Sequence, residues 1–277
     1  MPDSKQLPEL RMVPTAALVL HEDCDPMRVD RLLQRLQEEG RLKNPPVVTV
    51  LDGTDRYIVL DGANRTLALR KLRVPHTVVQ VVSYADPDLR LETWYHVVAG
   101  MSRQEFAEAV EAVPYLHLQP STLEEARVAL RIGDAVAYII YEDSVFQVCH
   151  THPGRPDIHL LNDLVAAYKG RASIYRASND IFEIQAPYYP DITALVVFPR
   201  YTPADIIALV RAGDKVPSGI TRHVIPNRAL RVNIPLRVLA ADWPLERKEA
   251  WLREWLLQKM ADDAIRFYSE PTFLFDE

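Results

Sequence analysis

Hydrophobic and polar positions alternate with different periods along this chain, and the changes of period mark out its elements. A short apolar stretch, Ala16 to Leu20, reads as a strand and runs into His21-Glu22-Asp23-Cys24-Asp25. Asp25 suits a helix N-cap and Pro26 the first helical position, where a missing N–H costs nothing. Val29, Leu32, Leu33 and Leu36 follow at helical spacing, and Gly40 stops the helix. Pro46 to Leu51 and Tyr57 to Leu60 are strand-forming runs on either side of Asp52-Gly53, which predicts a hairpin. Asp61-Gly62 breaks the second run, Ala63 to Leu72 reads as a helix, and Thr77 to Val82 as a strand. A compact unit closes near Ala85.

Beyond it, Glu92 to Val98 (ETWYHVV) reads as helical, as does Ser102 to Val113, with Ser102 as cap and Phe106, Val110 and Val113 on one face. Leu123 to Leu130 is apolar, and Ala135 to Tyr141 is a strand. Leu160 to Tyr168 reads as a helix ending at Gly170, Ala194 to Phe198 as a strand, and Thr202-Pro203 opens a helix that Gly213 ends. A long amphipathic helix starts at Trp243, where Trp251 and Trp255 pack against the domain or a partner subunit, leaving a homodimer open. The pattern predicts an α/β to α+β protein in two parts, 1–115 and 116–277.

Composition narrows the chemistry. The 277 residues carry 32 basic and 38 acidic side chains, a net charge of −6, so no global attraction to nucleic acid or membrane exists and specific DNA binding is not expected. The two cysteines, Cys24 and Cys149, form no CxxC pair, which excludes a cysteine-rich zinc site. No apolar run reaches the ~18 residues of a membrane span, and no secretory signal is recognised, so a cytoplasmic location is expected. The nine glycines spell neither GxGxxG nor GxxxxGK, and any phosphate site must be built differently. The histidines of H-T-H-P-G-R-P-D-I-H, His150, His152 and His159, lack helical spacing and are not read as metal ligands.

Three constellations can carry chemistry. Leu60-Asp61-Gly62-Ala63-Asn64-Arg65 runs from strand through tight turn to helix, where unpaired N–H groups receive phosphate and Arg65 can clasp an oxyanion. The structural alternative is that Asp61 caps the helix and pairs with Arg65. Glu22 lies at a strand-to-helix connection, suited to a base or to a solvated acid. Thr221-Arg222-His223 offers a hydroxyl, a fork donor and an N–H to a carboxylate or phosphate, and the three converge only if the segment is a loop.

H-E-D-x-D-P-x-R (21–28), L-K-N-P-P-V-V (42–48) and V-L-D-G-x-N-R-T-L-A-L-R-K-L (59–72) together resemble the ParB/sulfiredoxin-type fold. With K-V-P-S-G-I-T-R-H-V-I-P (215–226) and R-V-N-I-P-L (231–236), the chain is most similar to free L-serine kinases, including the siderophore-precursor branch that doubles as a regulator. The resemblance implies a ParB/sulfiredoxin-like amino-terminal domain with a carboxyl-terminal domain closing a cleft over it, and transfer of the terminal phosphoryl group of ADP or ATP to the serine hydroxyl, with Mg²⁺. It implies a nucleotide site at Asp61, Gly62, Ala63, Asn64 and Arg65, with Asp61 and Glu22 catalytic. It implies a substrate site of Glu22, Trp94, His96, Thr221, Arg222 and His223, with Glu22 deprotonating the hydroxyl and Arg222 holding the carboxylate. One position departs from the pattern. Family members usually carry a histidine just before the arginine, and this chain has Asn64, which hydrogen-bonds but carries neither proton nor charge. That substitution keeps a second reading open, a non-catalytic nucleotide-binding regulator of ParB-like type.

Overall fold

The computed structural model describes residues 7–151 and 158–268, so His152 lies outside the described residues. Within them, no helix is long and apolar enough to cross a membrane. The contacts divide the chain into two units that interleave along the sequence. One contains the residues up to Val19, Cys24–Asp88 and those from Ile225 onward; the other contains Leu20–Asp23 and Leu89–Val224. The chain therefore passes between them at Val19–Leu20, Asp23–Cys24, Asp88–Leu89 and Val224–Ile225.

The first unit carries β1 (Glu9–Pro14), β2 (Leu18–Leu20), α1 (Pro26–Glu39), β3 (Arg41–Leu42), β4 (Val47–Leu51), β5 (Arg56–Asp61), α2 (Ala63–Lys71) and β6 (His76–Val81). Its sheet runs β1-β6-β4-β5-β2, with β4 and β5 forming the expected hairpin. Asp25 caps α1 as its sequence demands, accepting from the N–H groups of Met27 (3.0 Å) and Arg28 (3.3 Å). Val29 and Leu36 of α1 and Ala68 and Leu69 of α2 are buried in one core with Met12 and Val78. The same unit takes back the carboxyl-terminal β15 (Ile234–Pro235), α8 (Leu236–Ala240) and α9 (Leu245–Ala261), of which Val238, Leu239 and Leu252 join that core.

The second unit is built on β7 (Arg90–Thr93), β8 (Tyr95–Ala99), α3 (Arg103–Glu111), β9 (Leu116–Ser121), α4 (Leu123–Ile132), β10 (Ala137–Ile140), β11 (Val145–His150), α5 (Ile158–Tyr168), β12 (Ser173–Ala177), α6 (Phe182–Gln185), β13 (Ile192–Val197), α7 (Pro203–Ala212) and β14 (Thr221–Val224). Six of its strands make one sheet in the order β12-β8-β13-β10-β11-β9, while β14 pairs with β7 alone. Serine or threonine capping boxes start α3, α4 and α7, each closed by an acidic residue three positions on.

Three expectations change. Residues 92–98 are not helical but lie in β7 and β8, because Tyr95, Val97 and Val98 are buried in the middle of the sheet, where β-branched and aromatic residues pack well. Residues 221–224 are a strand rather than a loop. The expected boundary at 115/116 falls inside the second unit: Phe106 and Val110 of α3 share a core with Leu116 of β9, which leaves no seam there.

Candidate functional site

Three groups of side chains gather most of the residues singled out above, one within the first unit and two within the second. In the first unit, Ile58, Val59 and Leu60 are buried and anchor β5, so Asp61 emerges at a fixed point. Gly62 turns the chain at φ 94°, and a Cβ there would approach the Pro46 backbone to 3.1 Å, which restricts the position to glycine. Helix α2 then starts at Gly62, an N-cap with no side chain to contribute. Asp61 Oδ2 accepts from Arg65 Nη2 at 2.6 Å and from Arg228 Nη2.

Arg228 is absent from the sequence reading, and its position has an identifiable cause. The buried Gln80 donates from Nε2 to Asn227 O (3.1 Å) and accepts from Ala229 N–H (2.9 Å), clamping the backbone on both sides of Arg228. Two guanidiniums thus share one carboxylate oxygen, leaving net positive charge beside the first turn of α2. Arg65 Nε is buried without a hydrogen-bond partner among the described residues. Such a donor set takes an oxyanion. Asn64 is engaged on one side only: its Oδ1 accepts from Asp25 N–H at 3.0 Å, which fixes the orientation of the amide.

In the second unit, the segment around Glu22 is tied to Val216, whose N–H donates to His21 O and whose O accepts from Asp23 N–H, both at 2.9 Å. Thr221 Oγ1 donates to Glu22 Oε2 at 2.8 Å and lies 2.8 Å from His21 Nε2, and the His21 and His223 rings meet edge to face at 5.3 Å. Neighbouring side chains on a strand leave opposite faces. Thr221 and His223 therefore share the side of Glu22 and His21, and Arg222 leaves the other. Its guanidinium stacks 4.3 Å from the Trp94 ring and pairs with Glu92 at 3.2 Å. The expected convergence of residues 221–223 is thus replaced by two clusters on one strand.

His96 belongs to neither. It is 2% exposed, bonded through Nδ1 to Tyr168 Oη at 2.9 Å and packed on Phe198, and burial pushes its imidazole down to about 3. It is a neutral residue of the core. Sequence reasoning also gave no role to His21, Glu92 and Gln80, which acquire meaning only through partners distant in the chain.

Among the described residues no three His, Cys, Asp or Glu side chains gather to hold a metal. Mg²⁺ keeps several waters and takes one or two carboxylates besides phosphate oxygens. Asp61 fits that smaller demand, as the carboxylate at the turn, for an ion carried on a nucleotide.

No protein-family model matches the chain. It is 27% identical over 275 residues, 97% of each sequence, to the ATP-dependent L-serine kinase SbnI of Staphylococcus aureus (strain NCTC 8325 / PS 47). It is 22% identical over 221 residues, 79% of this chain and 88% of the relative, to the ADP-dependent L-serine kinase SerK of Thermococcus kodakarensis. Among solved structures, a free serine kinase in complex with AMP superposes with a TM-score of 0.73 at 18% identity, over 84% of this chain and 94% of that one, and so shares its fold.

Proposed function

We propose that this protein is a free L-serine kinase, transferring the terminal phosphoryl group of ATP or ADP to the serine hydroxyl to give O-phospho-L-serine. The observation that carries the reading is the pair of guanidiniums on Asp61 beside the Gly62 turn that starts α2, in a chain similar along nearly its whole length to an L-serine kinase. In this reading a ParB/sulfiredoxin-like nucleotide domain holds the phosphates on Gly62, Ala63, Asn64 and Arg65, with Arg228 added to the set. Asp61 keeps the two arginines in place. Mg²⁺ on the phosphates would neutralise charge there and polarise the transferring group.

Glu22 takes the proton of the serine hydroxyl as its oxygen attacks phosphorus, and the bond to the departing nucleotide breaks. Phosphoryl transfer asks little more of a protein than alignment and charge neutralisation. Arg222 leaves the opposite face of β14 from Glu22, so it meets the carboxylate of the same serine by swinging off Glu92, and there it offers a fork donor. The chemistry belongs in the cytoplasm, where nucleotide and free serine are both available.

The test is direct. The purified protein with serine, Mg²⁺ and either nucleotide should yield O-phosphoserine by mass spectrometry. Tight nucleotide binding without product from ATP or ADP would instead favour the regulator reading that Asn64 keeps open.

A further inference from the structure

Thr221 has one hydroxyl proton and two polar neighbours, His21 Nε2 and Glu22 Oε2, each at 2.8 Å. A carboxylate has no proton to give, so the hydroxyl donates to Glu22 and must accept from His21. That assigns the Nε2–H tautomer to His21. Glu22 Oε1 has no hydrogen-bond partner among the described residues, whereas Oε2 is occupied. His21 is itself immobile: its side chain is 1% exposed, its carbonyl is held by Val216, and its ring lies against His223.

We propose that His21 is a positioning residue for Glu22, its Nε2–H acting through the Thr221 hydroxyl to pin one carboxylate oxygen and present the other to the substrate hydroxyl. The inference rests on Glu22 being the base of the serine kinase reading. Without the imidazole N–H, the Thr221 hydroxyl is free to rotate, the carboxylate loses its fixed orientation, and in-line alignment suffers rather than substrate binding.

Two variants and one spectroscopic measurement test this. His21→Leu fills the space without a donor and should lower kcat by about 10- to 100-fold with the nucleotide KM unchanged. His21→Gln restores an N–H at the same reach and should recover most of the loss, which a merely space-filling role would not produce. Nitrogen-15 spectra of labelled histidine should show His21 as the Nε2–H tautomer, with that signal altered in Thr221→Val. The proposal is overturned if the tautomer is Nδ1–H, if folded His21→Leu keeps the wild-type kcat, or if the glutamine variant is no better than the leucine one. Should the unaltered protein form no O-phosphoserine with either nucleotide, the kinase reading falls and takes this role with it; wild-type activity with an indifferent His21 removes the role alone.

Discussion

At the scale of single residues, Asn64 separates two jobs that one side chain performs. Its oxygen holds the N–H of Asp25, the residue that caps α1. Its amide N–H groups are thereby oriented from the first turn of α2, where a neutral donor can meet a phosphate but cannot protonate it. Asn64→Asp keeps an acceptor for Asp25 and puts negative charge among the phosphate donors. Its thermal stability should stay near wild type while ADP affinity falls about tenfold or more, read by calorimetry. Asn64→Ala should behave differently, costing about 1 kcal/mol of stability through the orphaned Asp25 N–H. If Asn64→Asp binds ADP normally, the turn is not the phosphate site. Asp61, Gly62 and Arg65 were legible in sequence because strand, turn and helix start are local. Arg228 and His21 were not, since their partners Asp61 and Thr221 lie 167 and 200 residues away.

At the scale of elements, β14 shows how a secondary-structure assignment decides chemistry. As a loop it would let Thr221, Arg222 and His223 meet one ligand; as a strand it sends Arg222 to Glu92 and Trp94. Nothing local distinguishes the two, because β14 pairs only with β7, and β7 was itself hidden in a run that mixes helix-compatible and strand-forming residues. Helix α1 was legible for the opposite reason: cap, proline, apolar stripe and terminal glycine agree. The strand geometry makes a prediction of opposed signs. Arg222→Ala should raise the serine KM strongly. Glu92→Gln releases the guanidinium from a half-exposed pair worth about 0.2–1 kcal/mol, so it should lower the serine KM by up to about fivefold. Steady-state kinetics with the nucleotide saturating reads both. A rise in KM for Glu92→Gln would show that Glu92 binds substrate itself rather than competing with it.

At the scale of the whole molecule, two properties follow from charge and burial summed over the chain. The net charge of −6 sets a long-range field that repels a polyanion, so DNA binding measured by anisotropy at physiological salt should be weak and indifferent to sequence. The second property is acid sensitivity, and it traces to His96. An unfolded histidine titrates near 6.5, but this imidazole, buried against Phe198 and Tyr168, holds no proton until about 3. Between those values the unfolded state binds one proton more than the folded state, so stability rises with pH and is lost on acidification below about 6.5. One such group contributes about 1.4 kcal/mol per pH unit, or about 2 kcal/mol between pH 6.5 and pH 5. The other histidines titrate as well, so the informative quantity is a difference of slopes. Replacing His96 by leucine leaves the Tyr168 hydroxyl without its partner and lowers stability at every pH, yet it should flatten the dependence between pH 5 and 6.5. Because the two units have separate cores, the loss should appear in amide exchange of β8 and β13 rather than of β4 and β5. An unchanged slope in the leucine variant would mean that His96 accepts a proton within the folded core.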